Sequence, residues 1–225
     1  MTGFNDIKAC AFDAYGTLFD VHAPVTTLAN ELGLDARAIS DMWRANQLQY
    51  TWLRSLMNAH ADFWKVTADA LDYALGAHGI ERPELRAQLM QLYLELEAYP
   101  DAADALQRLR DTGIETAILS NGSPTMLDAA IAHAGLAELL NEVISIEDAG
   151  VYKPAASVYR LAPERLGIEA GQIAFVSANA WDASGAAHFG LQVIHLNRFD
   201  QPAECLPGEP RAVIKSLDEL KQLLD

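Results

Sequence analysis

Four polar segments carry side chains that could do nucleophilic and acid–base chemistry, and each lies at or just beyond the end of a short apolar run. They contain Asp13, the pair Ser120 and Asn121, Lys153, and Asp182. Each residue alone has a simpler explanation, since a lone lysine is usually a surface residue and Ser, Asn or Asp often caps a helix. Two carboxylates, a hydroxyl, an amide and an ammonium ion at one place indicate an active site instead.

The elements predicted around these residues explain how they could meet. Runs of apolar residues predict strands over 7–12, 114–119, 143–146, 173–177 and 192–196. Helical periodicity predicts helices over 101–112, 124–134, 155–166, 182–189 and 215–224. Strands that alternate with helices of this length form a parallel sheet covered on both faces. Ligands bind such sheets at the carboxyl ends of the strands, where the polar segments lie.

A second kind of pattern occupies residues 24–98. Helical periodicity dominates there, with breaks near 33–35, 60–62 and 76–83, and predicts about four helices. Because one strand precedes this block and the others follow it, the block is an insertion. Pro163 should end or kink the predicted helix 155–166 near Ala162.

The fold class predicted is therefore α/β, with a doubly wound, mostly parallel, Rossmann-like sheet as its core and an inserted α-helical cap. The core is formed by residues 1–20 and 99–225, and the four-helix-bundle-like cap by residues 21–98.

The composition excludes several classes of partner. The 225 residues are 51% hydrophobic and 21% charged, which is typical of a globular protein, and 16 Lys and Arg against 31 Asp and Glu give a net charge of −15. Such a charge repels nucleic acid and anionic lipid, so we expect neither a nucleic-acid nor a membrane partner. A site for an anion must carry its own positive charge. Only Cys10 and Cys205 are present, and no signal peptide is apparent, so a cytoplasmic location is expected.

The motifs also resemble a known family. Residues 12–17 (Phe-Asp-Ala-Tyr-Gly-Thr), 119–122 (Leu-Ser-Asn-Gly), 152–154 (Tyr-Lys-Pro) and Asp182 resemble the four signatures of the haloacid dehalogenase superfamily. The cap stretch 43–54 (Trp-Arg-Ala-Asn-Gln-Leu-Gln-Tyr-Thr-Trp-Leu-Arg) resembles one branch, the L-2-haloacid dehalogenases.

This resemblance implies an enzyme that hydrolyses short-chain (S)-2-haloalkanoic acids to (R)-2-hydroxy acids with inversion. Asp13 would be the nucleophile and form an aspartyl ester. Lys153 would hold Asp13 ionised, and Asp182, with Lys153 and Asn179, would activate the water that hydrolyses the ester. The remaining members of this network are Thr17, Tyr159 and Ser177. A small 2-haloacid and the released halide are the expected ligands, and a homodimer is expected.

Substrate contacts follow from the same resemblance. Arg44 and Leu48 are four residues apart on one predicted helix, so that a cationic and an apolar group share one face. Arg44 and Asn121 would bind the leaving halide, and Ser120 with backbone amides would bind the substrate carboxylate. The apolar wall around the alkyl group would consist of Tyr15, Leu48, Phe63 and Trp181.

Tyr15 separates this interpretation from its main alternative. Magnesium-dependent phosphatases of the superfamily carry Asp two residues after the nucleophile, where this chain has Tyr15. Mg²⁺ prefers a carboxylate-rich set of oxygen ligands, and Ser177 and Asn179 precede Asp182 here. We therefore expect neither metal nor cofactor. The alternatives are a magnesium-dependent small-molecule phosphatase and a non-catalytic binder of small acids.

Overall fold

A single parallel sheet lies at the centre of the computed structural model, which describes residues 3–224. The strands run in the order β3-β2-β1-β4-β5-β6 and every pairing between neighbours is parallel. The bounds are β1 Ala9–Phe12, β2 Glu115–Ser120, β3 Glu142–Ser145, β4 Ile173–Ser177, β5 Gln192–Leu196 and β6 Ala212–Ile214. β1 is central and fully buried, as expected for a strand covered on both faces.

The helices account for most of the remaining chain. Their bounds are α1 Ala23–Thr27, α2 Ala29–Leu32, α3 Ala36–Leu56, α4 Phe63–Ala77, α5 Pro83–Leu94, α6 Ala102–Asp111, α7 Pro124–His133, α8 Ala156–Leu166, α9 Ala180–Phe189 and α10 Leu220–Leu224. The α/β fold class predicted from the sequence is confirmed. The five predicted strands are all present, and the predicted breaks in the helical block fall between its helices.

Several details differ from the prediction. Within the part of the chain that the structure describes, the helical block contains five helices, α1 to α5, where about four were predicted. The predicted helix 215–224 is α-helical only over Leu220–Leu224, after a short 3₁₀ turn at Leu217–Glu219. β6 was not indicated, because its three residues are too few for a periodic pattern and follow a proline-rich loop.

The helix predicted to end or kink near Ala162 does not end there: α8 continues through Pro163 to Leu166 and is followed by Gly167 in a left-handed conformation. Proline removes only one backbone hydrogen bond, and the buried face formed by Val158, Tyr159 and Ala162 keeps the helix packed against its neighbours.

The helices between β1 and α6 pack mainly on one another. Ile39 and Trp43 of α3 are buried, as are Val66 and Ala70 of α4. Trp43 Nε1 donates a hydrogen bond to the Thr67 carbonyl of α4 at 2.9 Å.

The chain enters and leaves this helical block at one place. Asp20 N donates to Glu97 O at 3.1 Å, and Tyr99 N donates to Leu18 O at 2.8 Å. The two connections therefore run side by side, close to the loop that follows β1. Within residues 3–224, no helix is both long and apolar enough to cross a membrane.

Candidate active site

Asp13 lies at the centre of a network of charged and polar side chains at the carboxyl end of β1. Phe12, the last residue of the strand, pairs with Ile118 of β2 on one side and Val176 of β4 on the other, so Asp13 emerges in the middle of the sheet. Its side chain is buried, with 6% of the residue exposed. A carboxylate that is shielded from water in this way is a stronger nucleophile than a solvated one.

Lys153 joins Asp13 to a second carboxylate. Its Nζ donates to Asp13 Oδ1 at 3.0 Å and to Asp182 Oδ2 at 2.9 Å, and only 1% of the lysine side chain is exposed. Burial by itself lowers the pKa of Lys153, but the two carboxylates more than offset this effect and hold the pKa above its ordinary value. The ammonium ion between Asp13 and Asp182 is therefore charged.

The second oxygen of Asp13 is held by neutral donors. Asn179 Nδ2 donates to Asp13 Oδ2 at 2.7 Å and Thr17 Oγ1 donates to it at 3.2 Å. The Thr17 hydroxyl in turn accepts a hydrogen bond from Ala178 N at 2.9 Å. Lys153 therefore orients one oxygen of the carboxylate, and Thr17 and Asn179 from the loops after β1 and β4 orient the other, which fixes the direction from which it can attack.

Asp182 is fully buried at the start of α9, and hydrogen bonds orient its two oxygens. Tyr159 OH donates to Oδ1 at 2.7 Å and Ser177 Oγ donates to Oδ2 at 3.0 Å. Burial raises the pKa of Asp182 to about 6, although Lys153 beside it acts in the opposite direction. A carboxylate with such a pKa is ionised at neutral pH and is basic enough to accept a proton from water.

Arg44 reaches this network from α3 in the helical block. Its guanidinium donates to Tyr15 O at 3.2 Å, to Asn179 Oδ1 at 3.4 Å and to Gln47 Oε1 at 2.7 Å. Asn179 therefore contacts the predicted nucleophile Asp13 with its amide nitrogen and Arg44 with its amide oxygen. A cation from one part of the chain and a carboxylate from another are brought to the same place.

A cavity of about 440 Å³ opens beside Arg44. Leu48, Asn179 and Trp181 also line it. Asn179 is thus both part of the cavity lining and in contact with Asp13.

The other aromatic residues predicted for the site lie deeper. Tyr15 is buried, and its ring centroid is 5.5 Å from that of Phe63. Its hydroxyl has no hydrogen-bond partner among residues 3–224. Tyr15 and Phe63 are therefore part of the packed apolar interior next to the site.

The side chains of Ser120 and Asn121, at the end of β2, accept hydrogen bonds from backbone amides of the loops that follow β2 and β3. Ser120 Oγ accepts a hydrogen bond from Gly122 N at 3.1 Å, and Asn121 Oδ1 accepts one from Lys153 N at 3.1 Å. Asn121 thereby anchors the backbone of Lys153. A Cβ atom on Gly122 would lie 2.7 Å from Cε2 of Tyr15, so only glycine allows this loop to pack against the Tyr15 ring.

Two residues near the site were not singled out from the sequence. Gln47 accepts the shortest of the three Arg44 hydrogen bonds, and Tyr93 stacks on Tyr15 with a centroid distance of 5.7 Å. The signal for Gln47 was its place three residues after Arg44 on one helix face. Tyr93 had no comparable signal, because it lies almost 50 residues further along the chain.

Comparisons with known proteins identify the relatives of this chain. A family model for haloacid dehalogenase-like hydrolases matches residues 7–190. The chain is 45% identical to (S)-2-haloacid dehalogenase 1 of Pseudomonas sp. (strain CBS-3), over 97% of this chain and 96% of the relative. It is 44% identical to (S)-2-haloacid dehalogenase 4A of Burkholderia cepacia, over 98% and 96% of the two chains.

Solved structures are equally similar. A dehalogenase crystal structure superposes with a TM-score of 0.96 at 43% identity, covering 98% of each chain. The L-2-haloacid dehalogenase from Xanthobacter autotrophicus with chloropropionic acid covalently bound superposes with a TM-score of 0.91 at 37% identity, over 97% of this chain and 98% of that one.

The fold and the buried carboxylate–lysine–carboxylate site define a class, the haloacid dehalogenase-like hydrolases, and the chain belongs to this family. Its position within the family is equally clear. The full-length similarity places the chain in the L-2-haloacid dehalogenase branch, as its motifs predicted.

Proposed function

We propose that the chain hydrolyses short-chain (S)-2-haloalkanoic acids to (R)-2-hydroxy acids with inversion, through an ester on Asp13. The observation that carries the proposal is the buried Asp13 carboxylate, held by Lys153 and by Asn179, a residue that lines a cavity together with Arg44. The relatives with 38–45% identity are named (S)-2-haloacid dehalogenases. The covalently bound chloropropionic acid in the Xanthobacter structure supports a covalent route.

In the first step, an oxygen of Asp13 attacks C2 of the substrate and the carbon–halogen bond breaks. The bonding electron pair leaves with the halide, and C2 is inverted because attack is in line. Because both Asp13 oxygens are already oriented, less entropy is lost on reaching the transition state. In well-aligned intramolecular reactions this effect lowers the activation free energy by up to roughly 7–11 kcal/mol. Arg44 stabilises the charge that develops on the halide.

In the second step, water attacks the acyl carbon of the ester on Asp13. Asp182 accepts the proton of this water, while Lys153 and Asn179 orient it. The ester bond to the acyl carbon breaks, and the original Asp13 oxygen leaves with the product and takes the proton from Asp182 to become its hydroxyl. The second proton of the water is released to solvent. The carboxylate of Asp13 is restored with one oxygen from water.

Other side chains bind the substrate or hold the network in these steps. Asn121 is the second halide contact, and Ser120 with nearby backbone amides binds the substrate carboxylate. Thr17, Ser177 and Tyr159 hold the two carboxylates by the hydrogen bonds described above. The alkyl group and halogen lie against an apolar wall formed by Tyr15, Leu48, Phe63 and Trp181.

Neither step in this proposal uses a metal or a cofactor. The ammonium ion of Lys153 contacts both carboxylates, so the chain itself supplies the positive charge between them. Tyr15 occupies the position where the superfamily's phosphatases have an acid–base Asp, and its hydroxyl is buried. Halide is a weak base that leaves without a proton, so no acid is needed there.

The proposal extends to organisation and location. Residues 21–98 form a cap that supplies Arg44 and Leu48, and residues 1–20 with 99–225 form the catalytic core. The side-by-side connections at Asp20 and Tyr99 support this division. We place the protein in the cytoplasm, consistent with its free cysteines Cys10 and Cys205.

The assembly we propose is a homodimer. Its support is the apolar end of α3 and the residue that follows, where Leu53, Leu56 and Met57 are 43%, 80% and 64% exposed. Apolar side chains grouped at one place on a surface are typical of contacts between proteins.

The test is halide release from each enantiomer of 2-chloropropionate in excess EDTA. We expect chloride and (R)-lactate from the S enantiomer only. Asp13→Asn removes the nucleophile and should abolish release without unfolding the protein. Activity that appears only after Mg²⁺ is added, and on a phosphate ester, would replace this proposal with a phosphatase.

A further inference from the structure

Gln47 is a buried amide that connects Arg44 to the interior of the helical block. Only 1% of the residue is exposed. Its Oε1 accepts from a terminal nitrogen of Arg44 at 2.7 Å, and its Nε2 donates to Thr67 Oγ1 at 2.7 Å. The Tyr93 hydroxyl lies 3.0 Å from Nε2 and 3.2 Å from Oε1. Both ends of the amide are therefore engaged.

The partners of Gln47 are themselves rigid. Thr67 of α4 is fully buried and its hydroxyl donates to Phe63 O at 2.7 Å. Tyr93 of α5 is buried against Trp43, with ring centroids 5.2 Å apart. Gln47 on α3 is thus locked by α4 and α5, and its Oε1 is a fixed acceptor for the Arg44 guanidinium.

The charge of Arg44 is not neutralised by the groups that hold it. Its three acceptors are the Gln47 and Asn179 amide oxygens and the Tyr15 carbonyl, all uncharged. No carboxylate forms a salt bridge with Arg44 in the described range 3–224. In a chain with a net charge of −15, most guanidinium groups lie near an acid, and several here are paired with one.

A glutamate at position 47 would accept the same hydrogen bond but would add a full negative charge beside the guanidinium. The pair would then attract an incoming anion much less than the cation alone does. The neutral amide gives Arg44 a fixed position without this loss.

We propose that Gln47 is a positioning residue that holds Arg44 in place through an uncharged acceptor, so that the full guanidinium charge is available to the leaving halide. The inference rests on the halide-binding role of Arg44 proposed above. Two consequences follow. The step in which halide leaves depends on Gln47, whereas the hydrolysis of the Asp13 ester does not.

Bromide binding tests the proposal without relying on turnover. Isothermal titration of the intact protein with sodium bromide is compared for the wild type, Gln47→Glu, Gln47→Met and the control Gln49→Glu. Gln49 is exposed on the same helix and undergoes the same chemical change. We expect Gln47→Glu to weaken bromide binding by about 100-fold, because a compensating charge lies at hydrogen-bonding distance. Gln47→Met should weaken it by about tenfold, since only the acceptor is lost. Gln49→Glu should bind as the wild type does.

Single-turnover kinetics with (S)-2-chloropropionate separate positioning from a general structural role. The rate of ester formation on Asp13, followed by mass spectrometry of quenched protein, should fall in Gln47→Glu by a factor similar to that for bromide. The rate of ester hydrolysis should stay within about twofold of the wild type, because Lys153, Asn179 and Asp182 are unchanged. Thr67→Val, which removes an anchor of Gln47 and adds no charge, should shift ester formation in the same direction by a smaller factor.

Several results would overturn the inference. They are equal bromide affinity in wild type and Gln47→Glu, absence of bromide binding to the wild type, or an equal fall in both kinetic steps. If Gln47→Glu does not fold, as judged by its thermal transition, then Gln47→Met and Thr67→Val decide by the same criteria. A wild type that binds bromide with the expected dependence on Gln47 but releases no halide would refute the proposed function and leave the positioning role intact.

Discussion

Asp13 and Asp182 are both buried carboxylates in contact with Lys153, yet their surroundings suit them to different tasks. Asp13 has neutral donors on one oxygen, one of which, Asn179, lines the cavity beside Arg44, whereas Asp182 is enclosed by Tyr159, Ser177 and Lys153. Two carboxylates whose environments differ in this way can divide nucleophilic and basic roles. The division predicts that the two steps of the reaction respond separately to mutation and to pH.

Asp182→Asn should stop the reaction after its first step. We expect one equivalent of chloride per site in a burst, accumulation of the ester on Asp13, and steady turnover lowered by about 10³-fold, the middle of the range for loss of a general base. Rapid-quench chloride assays and mass spectrometry measure this. Asp128→Asn, an exposed aspartate of α7, is the control. Wild-type steady turnover in Asp182→Asn would refute the assignment of Asp182 as the base.

The pH dependence of ester hydrolysis is set by the pKa of Asp182. In the free site burial raises this pKa to about 6 and the charge of Asp13 also raises it. The ester removes the charge of Asp13, so the pKa in the ester lies below about 6. Water is activated only by the ionised carboxylate, so the hydrolysis rate should be constant above this pKa and fall about tenfold per pH unit below it. The rate at which preformed ester decays in a single turnover, measured at a series of pH values between 4.5 and 8, tests this. A midpoint above pH 6, or a rate that stays constant down to pH 4.5, would contradict it.

Two glycines, one in a loop of the site and one in a helix, differ in the space that a side chain would find. Gly122, after β2, lies where a Cβ would be 2.7 Å from Cε2 of Tyr15 and 3.1 Å from two atoms of Leu127. Gly76, near the end of α4, has no atom within 4 Å of its Cβ position. One glycine is therefore required by packing of the active-site loop, and the other is not.

Gly122→Ala and Gly76→Ala should accordingly change stability in opposite directions. We expect Gly122→Ala to lower the free energy of unfolding by about 1–3 kcal/mol through overpacking against the buried Tyr15 ring. Gly76→Ala should raise it by about 0.5 kcal/mol because alanine favours the helix. Urea denaturation of both variants gives the comparison. Equal small effects would show that Tyr15 and its loop can shift without cost.

Arg198 and Asp101 link the two connections of the helical block to the core. Arg198 donates to Asp101 at 2.7 and 2.8 Å and to the Thr17 carbonyl at 3.2 Å, and its guanidinium stacks on the Tyr99 ring. Asp101 also accepts from Leu217 N at 2.9 Å. This pair therefore ties the site loop, the return connection and the C-terminal elements together.

Asp101→Asn should lower the free energy of unfolding at pH 7 by about 2 kcal/mol, the typical value of hydrogen bonds to a charged group. Burial by itself raises the pKa of Asp101. The hydrogen bonds from Arg198 and the Leu217 amide have the larger, opposite effect, so the pKa lies below its ordinary value. A depressed folded pKa gives stability that is present above the unfolded pKa of 3.8 and is lost as pH falls through the folded pKa. The difference between wild type and Asp101→Asn should therefore shrink below pH 3.8.

Denaturation curves at several pH values test this expectation. Asp104→Asn is the matched control, because the Asp104 side chain is on the same helix and 76% exposed. Its effect should stay below about 0.5 kcal/mol at every pH, as is usual for an exposed ion pair. A difference for Asp101→Asn that is constant with pH would mean that its charge is not what stabilises the connection.

The protein as a whole is strongly acidic, whereas its site sets two cations, Lys153 and Arg44, against the two carboxylates Asp13 and Asp182. A net charge of −15 would repel an anionic substrate, and the predicted remedy was local positive charge. Lys153 is buried between carboxylates, whereas the oxygens that hold Arg44 are neutral. We therefore propose that Arg44 is the group that attracts the anionic substrate.

The amino-acid sequence by itself determined the alternation of strands and helices, the insertion after β1 and the family. These features are local, because apolar periodicity and short motifs are read within a few neighbouring residues. Asp13 and the other polar segments could be assigned to one edge, since the carboxyl ends of parallel strands meet there.

Only the tertiary structure decided which side chains touch. Lys153 lies 140 residues from Asp13, and Gln47 finds Thr67 and Tyr93 at separations of 20 and 46 residues. Such contacts depend on how whole elements pack, which sequence periodicity does not encode. The same reason explains β6, whose three residues form a strand because they pair with the edge of β5. It also explains α8, which continues past Pro163 because its buried face packs against neighbouring elements.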